Sequence, residues 1–269
     1  VSTESGFFEK HYYLLRRLHS LTGIVPVGLF LCTHLLTNSS IVWGMLDSRK
    51  AETGHGGVAT FMHEVAFIHS LPFLLLIEIG GLWLPIAFHS LLGWYYATTG
   101  STNTQRYAYQ SNWRYRVQRF SGYVGVFFIF YHVATLRWGW TFLVPGGEPW
   151  TAEHAASTMA MALRGGKEGI SLAGMLVSAG YMLGVSLLVF HFANGLWTAA
   201  ITWGLTVSKK AQERWGYVCA GVGAGLMVLA WSAVLGFLFL DPAKAREVEL
   251  KMGGGHGQVE ASSAGLAGE

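Results

Sequence analysis

Five long stretches almost free of charged side chains constrain this chain more than anything else in its sequence. They cover about residues 20–45, 71–96, 118–143, 171–205 and 217–240, and each reaches the roughly 20 residues that a helix needs to cross a hydrocarbon core of about 30 Å. Inside such a core every backbone N–H and C=O must be satisfied within the chain, so each stretch is expected to be a helix. Only 12% of the 269 residues are charged and the mean hydropathy is +0.37, whereas a soluble domain carries about 25% charged residues. The expected fold is an all-α membrane protein with five transmembrane helices over residues 1–240. Residues 241–269, rich in Gly, Ala and Glu, are expected to form a disordered extracytoplasmic tail. No short apolar segment with a small-residue cleavage site opens the chain, so no removable signal peptide is expected.

Basic residues set the orientation. Lys10, Arg16 and Arg17 precede the first run; Arg106, Arg114, Arg116 and Arg119 lie around the start of the third; Lys209, Lys210 and Arg214 precede the fifth. The alternate loops hold Arg49, Lys50, Arg137, Arg164 and Lys167 diluted by Asp47, Glu52, Glu64, Glu148, Glu153 and Glu168. The positive-inside rule then puts the N-terminus in the cytoplasm and the tail outside, in a bacterial cytoplasmic membrane. The formal charge of +3 is small, and no nucleic-acid partner is expected. Cys32 and Cys219 both sit in apolar runs, which argues against a disulfide scaffold or a thiolate metal site.

Four of the runs each carry one deeply placed histidine: His34, His89, His132 and His191. An imidazole in hydrocarbon is costly unless it is paired or coordinated, and neutral imidazole is a common axial ligand of haem iron. His34 lies 14 positions past Ser20 and His132 lies 14 past Gln118, so on two helices running the same way both sit about 21 Å from the inner surface. His89, on a helix running back, sits about 10 Å from that surface. His191 can slide with the window of its long run, and pairing leaves it to His89. The expected arrangement is a dihaem bundle, an outer site between His34 and His132 and an inner one between His89 and His191. Hydrogen bonding between helices is the duller explanation for any single histidine. Zinc fits less well, because a closed site wants four ligands at one level.

The segments YYLLRRLHSLTGIVPVGLFLCTHLLTN, SLPFLLLIEIGGLWLPIAFH, NWRYRVQRFSG and FHFANGLWTAAITWGLTV resemble the dihaem cytochrome b subunit of the Bacillus-type succinate:menaquinone oxidoreductases, over about residues 11 to 214. A more distant likeness extends to fumarate reductases. The resemblance implies two bis-histidine b haems, a menaquinone site near the outer one, and cytoplasmic partners: a flavoprotein subunit with FAD and an iron–sulfur subunit. By position it assigns His34 and His132 to the distal haem and His89 and His191 to the proximal one. Association into a higher oligomer stays open. His69 stands where Bacillus-type members carry an acid, and Val189 stands where some fumarate reductases carry a glutamate.

Within that frame Arg17, His19, Ser20, Arg119 and Lys209, near the inner surface, are candidates to hold haem propionates; topology signals or partner contacts are the alternative. Glu78 precedes His89 by 11 positions, about 16 Å toward the outer side. It is the leading candidate to relay protons to the quinone, with Glu64 and His69 behind it. Two other readings compete. One is a quinol-oxidising dihaem anchor of a fumarate reductase or hydrogenase; the other is a proton-coupled transporter with intramembrane histidines.

Overall fold

A computed structural model describes residues 6–46, 54–100, 112–144 and 146–265. Arg49, Lys50 and Arg106, used above for orientation, lie outside the described residues with Asp47 and Glu52. The regular structure among the described residues is entirely helical. We number the main helices α1 (Tyr12–Ile24), α2 (Pro26–Trp43), α3 (Gly56–His69), α4 (Leu84–Thr99), α5 (Asn112–Leu136), α6 (Ala155–Arg164), α7 (Leu172–Thr202), α8 (Lys209–Phe239) and α9 (Pro242–Gly265).

Among the described residues, four spans are long and apolar enough to cross a membrane: Tyr12–Leu46, Leu74–Thr99, Leu172–Thr202 and Lys209–Phe239. The protein is thus a multi-pass membrane protein. Helix α5 has 25 residues but is not among the four. Arg114, Arg116 and Arg119 occupy its first turns, and Tyr, His and Gly residues dilute the rest.

Local chemistry explains where the ends depart from the expected ones. The second run opens at Leu74, because Pro72 and the left-handed Phe73 (φ 57°) interrupt the chain just before it. Ile77–Trp83 is a π-helical stretch, in which the Leu84 N–H reaches back five residues to the Ile79 carbonyl. Pro85 follows at once and lacks the N–H that a regular α-turn needs. The third run stops at Leu136 instead of 143, because Gly139 adopts φ 68° and reverses the backbone. Helix α8 starts earlier than expected, at Lys209, with the Ser208 hydroxyl accepting the Ala211 N–H at 3.2 Å.

The chain divides into two compact units, one of residues 1–33, 75–127 and 184–227 and the other of residues 34–74, 128–183 and 228–269. In the first, α1 packs along α4. The turn between α7 and α8 is held by indoles: Trp197 Nε1 donates to the Gln212 carbonyl (2.9 Å) and Trp215 Nε1 to the Leu196 carbonyl (3.2 Å).

In the second unit, α3, α6 and α9 pack together and form its most deeply buried part. Val58, Ala155, Ala156, Ala160, Leu163 and Ala245 are fully buried. The alanines among them let the helices approach closely. These three helices lie in stretches read above as loops and tail. Helices α3 and α6, at 14 and 10 residues, are too short to span a membrane, but that is the length of a buried core helix.

Within residues 241–269, expected above to be a disordered tail, the structure describes α9. Asp241 Oδ1 accepts the Ala243 N–H at 3.0 Å and Pro242 takes the first helical position, a start signal on both counts. Glu249, with its side chain fully buried, then anchors the helix. Its Oε1 accepts the N–H groups of Ala156 and Ser157 at 2.8 Å each, and its Oε2 accepts the Ser157 hydroxyl at 2.6 Å. A carboxylate supplied from α9 therefore caps the positive end of α6. At the other end of α6, Arg164 Nη1 donates to the carbonyls of Leu238 and Leu240, closing the last turn of α8.

Candidate functional site

The first unit brings His89 on α4 and His191 on α7 together, with ring centres 6.0 Å apart and ring planes at 84°. His89 Nδ1 donates to the His19 backbone carbonyl at 2.9 Å, and the His19 ring stacks on His89 at 4.0 Å and 9°. His191 Nδ1 lies 3.1 Å from the Gln118 carbonyl and 3.2 Å from the Ser121 hydroxyl. The Gln118 side chain ties this corner together: its Nε2 donates to the His191 carbonyl at 3.1 Å, and its Oε1 accepts from Asn194 Nδ2 at 2.9 Å. A carbonyl oxygen only accepts, so Nδ1 of both imidazoles carries the proton. Each Nε2 is left with a lone pair, the tautomer a metal ligand needs.

The glycines of α1 and α5 make room for these rings. A Cβ on Gly122 would sit 3.2 Å from His191 Cε1, and one on Gly23 would fall 2.7 Å from His89 Nδ1.

The second unit brings His34 on α2 and His132 on α5 together in the same way, with centres 5.7 Å apart and planes at 84°. The surroundings differ in kind, because here the Nδ1 atoms face side chains. His132 Nδ1 is 3.4 Å from the Tyr181 phenol oxygen. His34 Nδ1 is 3.5 Å from Asn38 Nδ2, which also donates to the His34 carbonyl at 2.8 Å.

The ring-centre spacing of both pairs, 5.7 and 6.0 Å, is compatible with one metal ion between two imidazoles. A metal–imidazole nitrogen bond is about 2 Å, so two rings on opposite sides of one ion have centres about 6 Å apart. Among the described residues no group of three or more His, Cys, Asp or Glu is placed to hold a metal.

The other residues singled out in the sequence fall in different places. Arg17 holds its guanidinium 5.7 Å from the Trp203 ring centre, and Ser20 Oγ accepts the Trp203 indole N–H at 2.9 Å, both in the first unit with His19. Arg119 donates to the Tyr115 hydroxyl at 2.5 Å and to the Ala97 carbonyl. Lys209 is exposed at the start of α8. Glu78, half-buried, lies in the π-helical stretch and belongs to the unit of His89 and His191. Glu64 and His69 lie on α3 in the unit of His34 and His132, where the His69 ring lies 6.3 Å from that of Trp150.

Sequence reasoning passed over Gln118, Ser121, Asn38, Asn194 and Tyr181. A signal existed for two of them: Asn38 and Asn194 stand four and three positions after a buried histidine, the spacing that puts polar neighbours on one helix face.

No protein-family model matches the chain, and no solved structure matches it significantly. Among curated proteins, the succinate dehydrogenase cytochrome b558 subunit of Bacillus subtilis (strain 168) is 31% identical over 231 residues, covering 84% of this chain and 97% of that protein. Near full-length similarity at this level, in a helical chain with four apolar spans and two facing histidine pairs, places the protein in the family of succinate dehydrogenase cytochrome b558 subunits.

Proposed function

We propose that the chain is the membrane-anchor cytochrome b of a succinate:menaquinone oxidoreductase, with one haem b held by His34 and His132 and a second by His89 and His191. The observation that carries this is the spacing of the two imidazole pairs, 5.7 and 6.0 Å between ring centres. When bound, haem supplies the one-electron couples by which such a subunit hands electrons from flavoprotein and iron–sulfur partners to menaquinone.

The chain's own part is to hold, orient and insulate. Backbone carbonyls of His19 and Gln118 fix the Nδ1 protons of His89 and His191, so the ligating nitrogens stay unprotonated. Arg17, His19, Ser20, Arg119 and Lys209 supply donors for propionates at the inner pair. Glu78 holds a carboxyl in a π-helical turn, a distortion often found at functional sites, and is proposed to move protons for quinone reduction, with Glu64 and His69 as alternates. Helix α5 is proposed as a fifth span, with the N-terminus cytoplasmic and residues beyond 241 outside, in a bacterial cytoplasmic membrane.

The experiment is purification of the tagged chain from its native membrane under mild detergent. The proposal expects a red complex with a b-type pyridine haemochrome, co-purifying flavin and iron–sulfur subunits, and haem reducible by succinate. A colourless preparation, or haem that succinate leaves oxidised while a quinol reduces it, contradicts it.

A further inference from the structure

We infer that Tyr181 is a positioning residue for His132 and, through it, sets the reduction potential of the outer haem. The inference rests on the proposed haem at His34 and His132. Tyr181 is 5% exposed, and its phenol oxygen is 3.4 Å from His132 Nδ1. Its ring is fixed edge-on to Phe128 (5.3 Å, 82°) and tilted at 68° to Tyr131 (6.1 Å), while Phe128 lies near-parallel to the His132 ring (6.1 Å, 24°). The Thr135 hydroxyl, which interacts with the Tyr181 phenol, donates to the Tyr131 and His132 carbonyls at 2.8 and 3.2 Å.

If His132 offers Nε2 to a metal, one set of proton positions satisfies every group in this buried row. Nδ1 donates to the phenol oxygen, the phenol turns its own proton toward Thr135, and Thr135 donates to the Tyr131 carbonyl. At the inner pair the first acceptors are backbone carbonyls, at 2.9 Å for His89 and 3.1 Å for His191, which no side-chain replacement removes, and the Ser121 hydroxyl adds a second contact to His191 Nδ1 at 3.2 Å. At the outer pair the acceptor for His132 is a replaceable side chain. An acceptor on Nδ1–H makes the imidazole a more basic ligand. A more basic ligand favours the oxidised iron, so Tyr181 holds the outer haem's potential down.

The test is a redox titration of the purified holoprotein, followed in the visible spectrum, for wild type, Tyr181→Phe and Thr135→Val. In Tyr181→Phe both haems are expected to remain. The midpoint of the haem that His132→Ala removes shifts to more positive potential, and the other midpoint stays in place. Thr135→Val keeps the phenol but removes its onward acceptor, and shifts the same midpoint in the same direction by less. An unmoved midpoint in both variants, a negative shift, or a shift confined to the haem lost in His89→Ala overturns the inference. If Tyr181→Phe loses the outer haem altogether, Thr135→Val decides alone by the same criterion. Two haems in the wild type with unmoved midpoints sink only the role of Tyr181; a wild type without haem sinks the functional reading and this inference together.

Discussion

Gly23 faces the His89 imidazole, and replacing it with alanine tests whether the inner ring is held as tightly as the structure indicates. A Cβ at this position would fall 2.7 Å from His89 Nδ1 and 3.3 Å from Nε2. Ordinary contact is about 3.5–4.0 Å, so the ring has to retreat by about 1 Å. His19, stacked at 4.0 Å, blocks retreat on one face. The 2.9 Å bond from Nδ1 to the His19 carbonyl then stretches beyond the useful range of about 3.2 Å and is lost. Losing an orienting bond of this kind lowers metal affinity about 10- to 100-fold, or about 1.4 to 2.8 kcal/mol. Gly23→Ala is therefore expected to purify with a substoichiometric inner haem and a full outer haem, measured by pyridine haemochrome against protein and resolved by redox titration. Gly221→Ala is the control, because nothing lies within 4 Å of a Cβ there; it keeps both haems. Full inner haem with an unaltered spectrum in Gly23→Ala would refute the packing argument.

Three further outcomes are expected of the same protein. Glu249→Ala removes three hydrogen bonds from a fully buried carboxylate and uncaps α6. The cost of about 3–5 kcal/mol should speed exchange of the Ala156 and Ser157 amides at least a hundredfold in hydrogen-exchange mass spectrometry, and unchanged exchange contradicts the cap. The Lys167 ammonium, 2.6 Å from the Glu148 carboxylate, and Arg246 beside it hold that carboxyl below its usual range. A depressed value adds stability above the unfolded value of about 4.3 and loses it as pH falls further, so protease sensitivity near Arg246 should rise only below about pH 4. A rise between about pH 6 and 8 would contradict that assignment. Glu78→Gln is expected to slow quinone turnover at least tenfold while leaving both haem spectra intact, and unchanged turnover removes Glu78 from the proton route.

The histidine pairs were readable in the sequence because one imidazole per apolar run, with depth counted along straight helices, leaves few ways to match them. The structure brings together the same partners, His34 with His132 and His89 with His191. Counting at a fixed rise could not foresee the π-helical stretch at Ile77–Trp83, the early stop at Gly139, or the left-handed Phe73. Helices α3 and α6 are too short for a span and α9 is too polar for one, and their start signals, such as Asp241 before Pro242, mean little without the tertiary partners that bury Val58, Ala155 and Ala245. The residues that orient the four imidazoles were hidden because contact across helices, as between Gln118 and His191 or Tyr181 and His132, leaves no periodic mark in one sequence.

Haem stoichiometry in the four single-histidine variants tests the central claim most directly. The wild type is predicted to carry two haems b per chain. His34→Ala and His132→Ala should each lose one and the same haem, while His89→Ala and His191→Ala should each lose the other. A wild type with one haem, or a variant that loses the haem assigned to the opposite pair, would contradict the account.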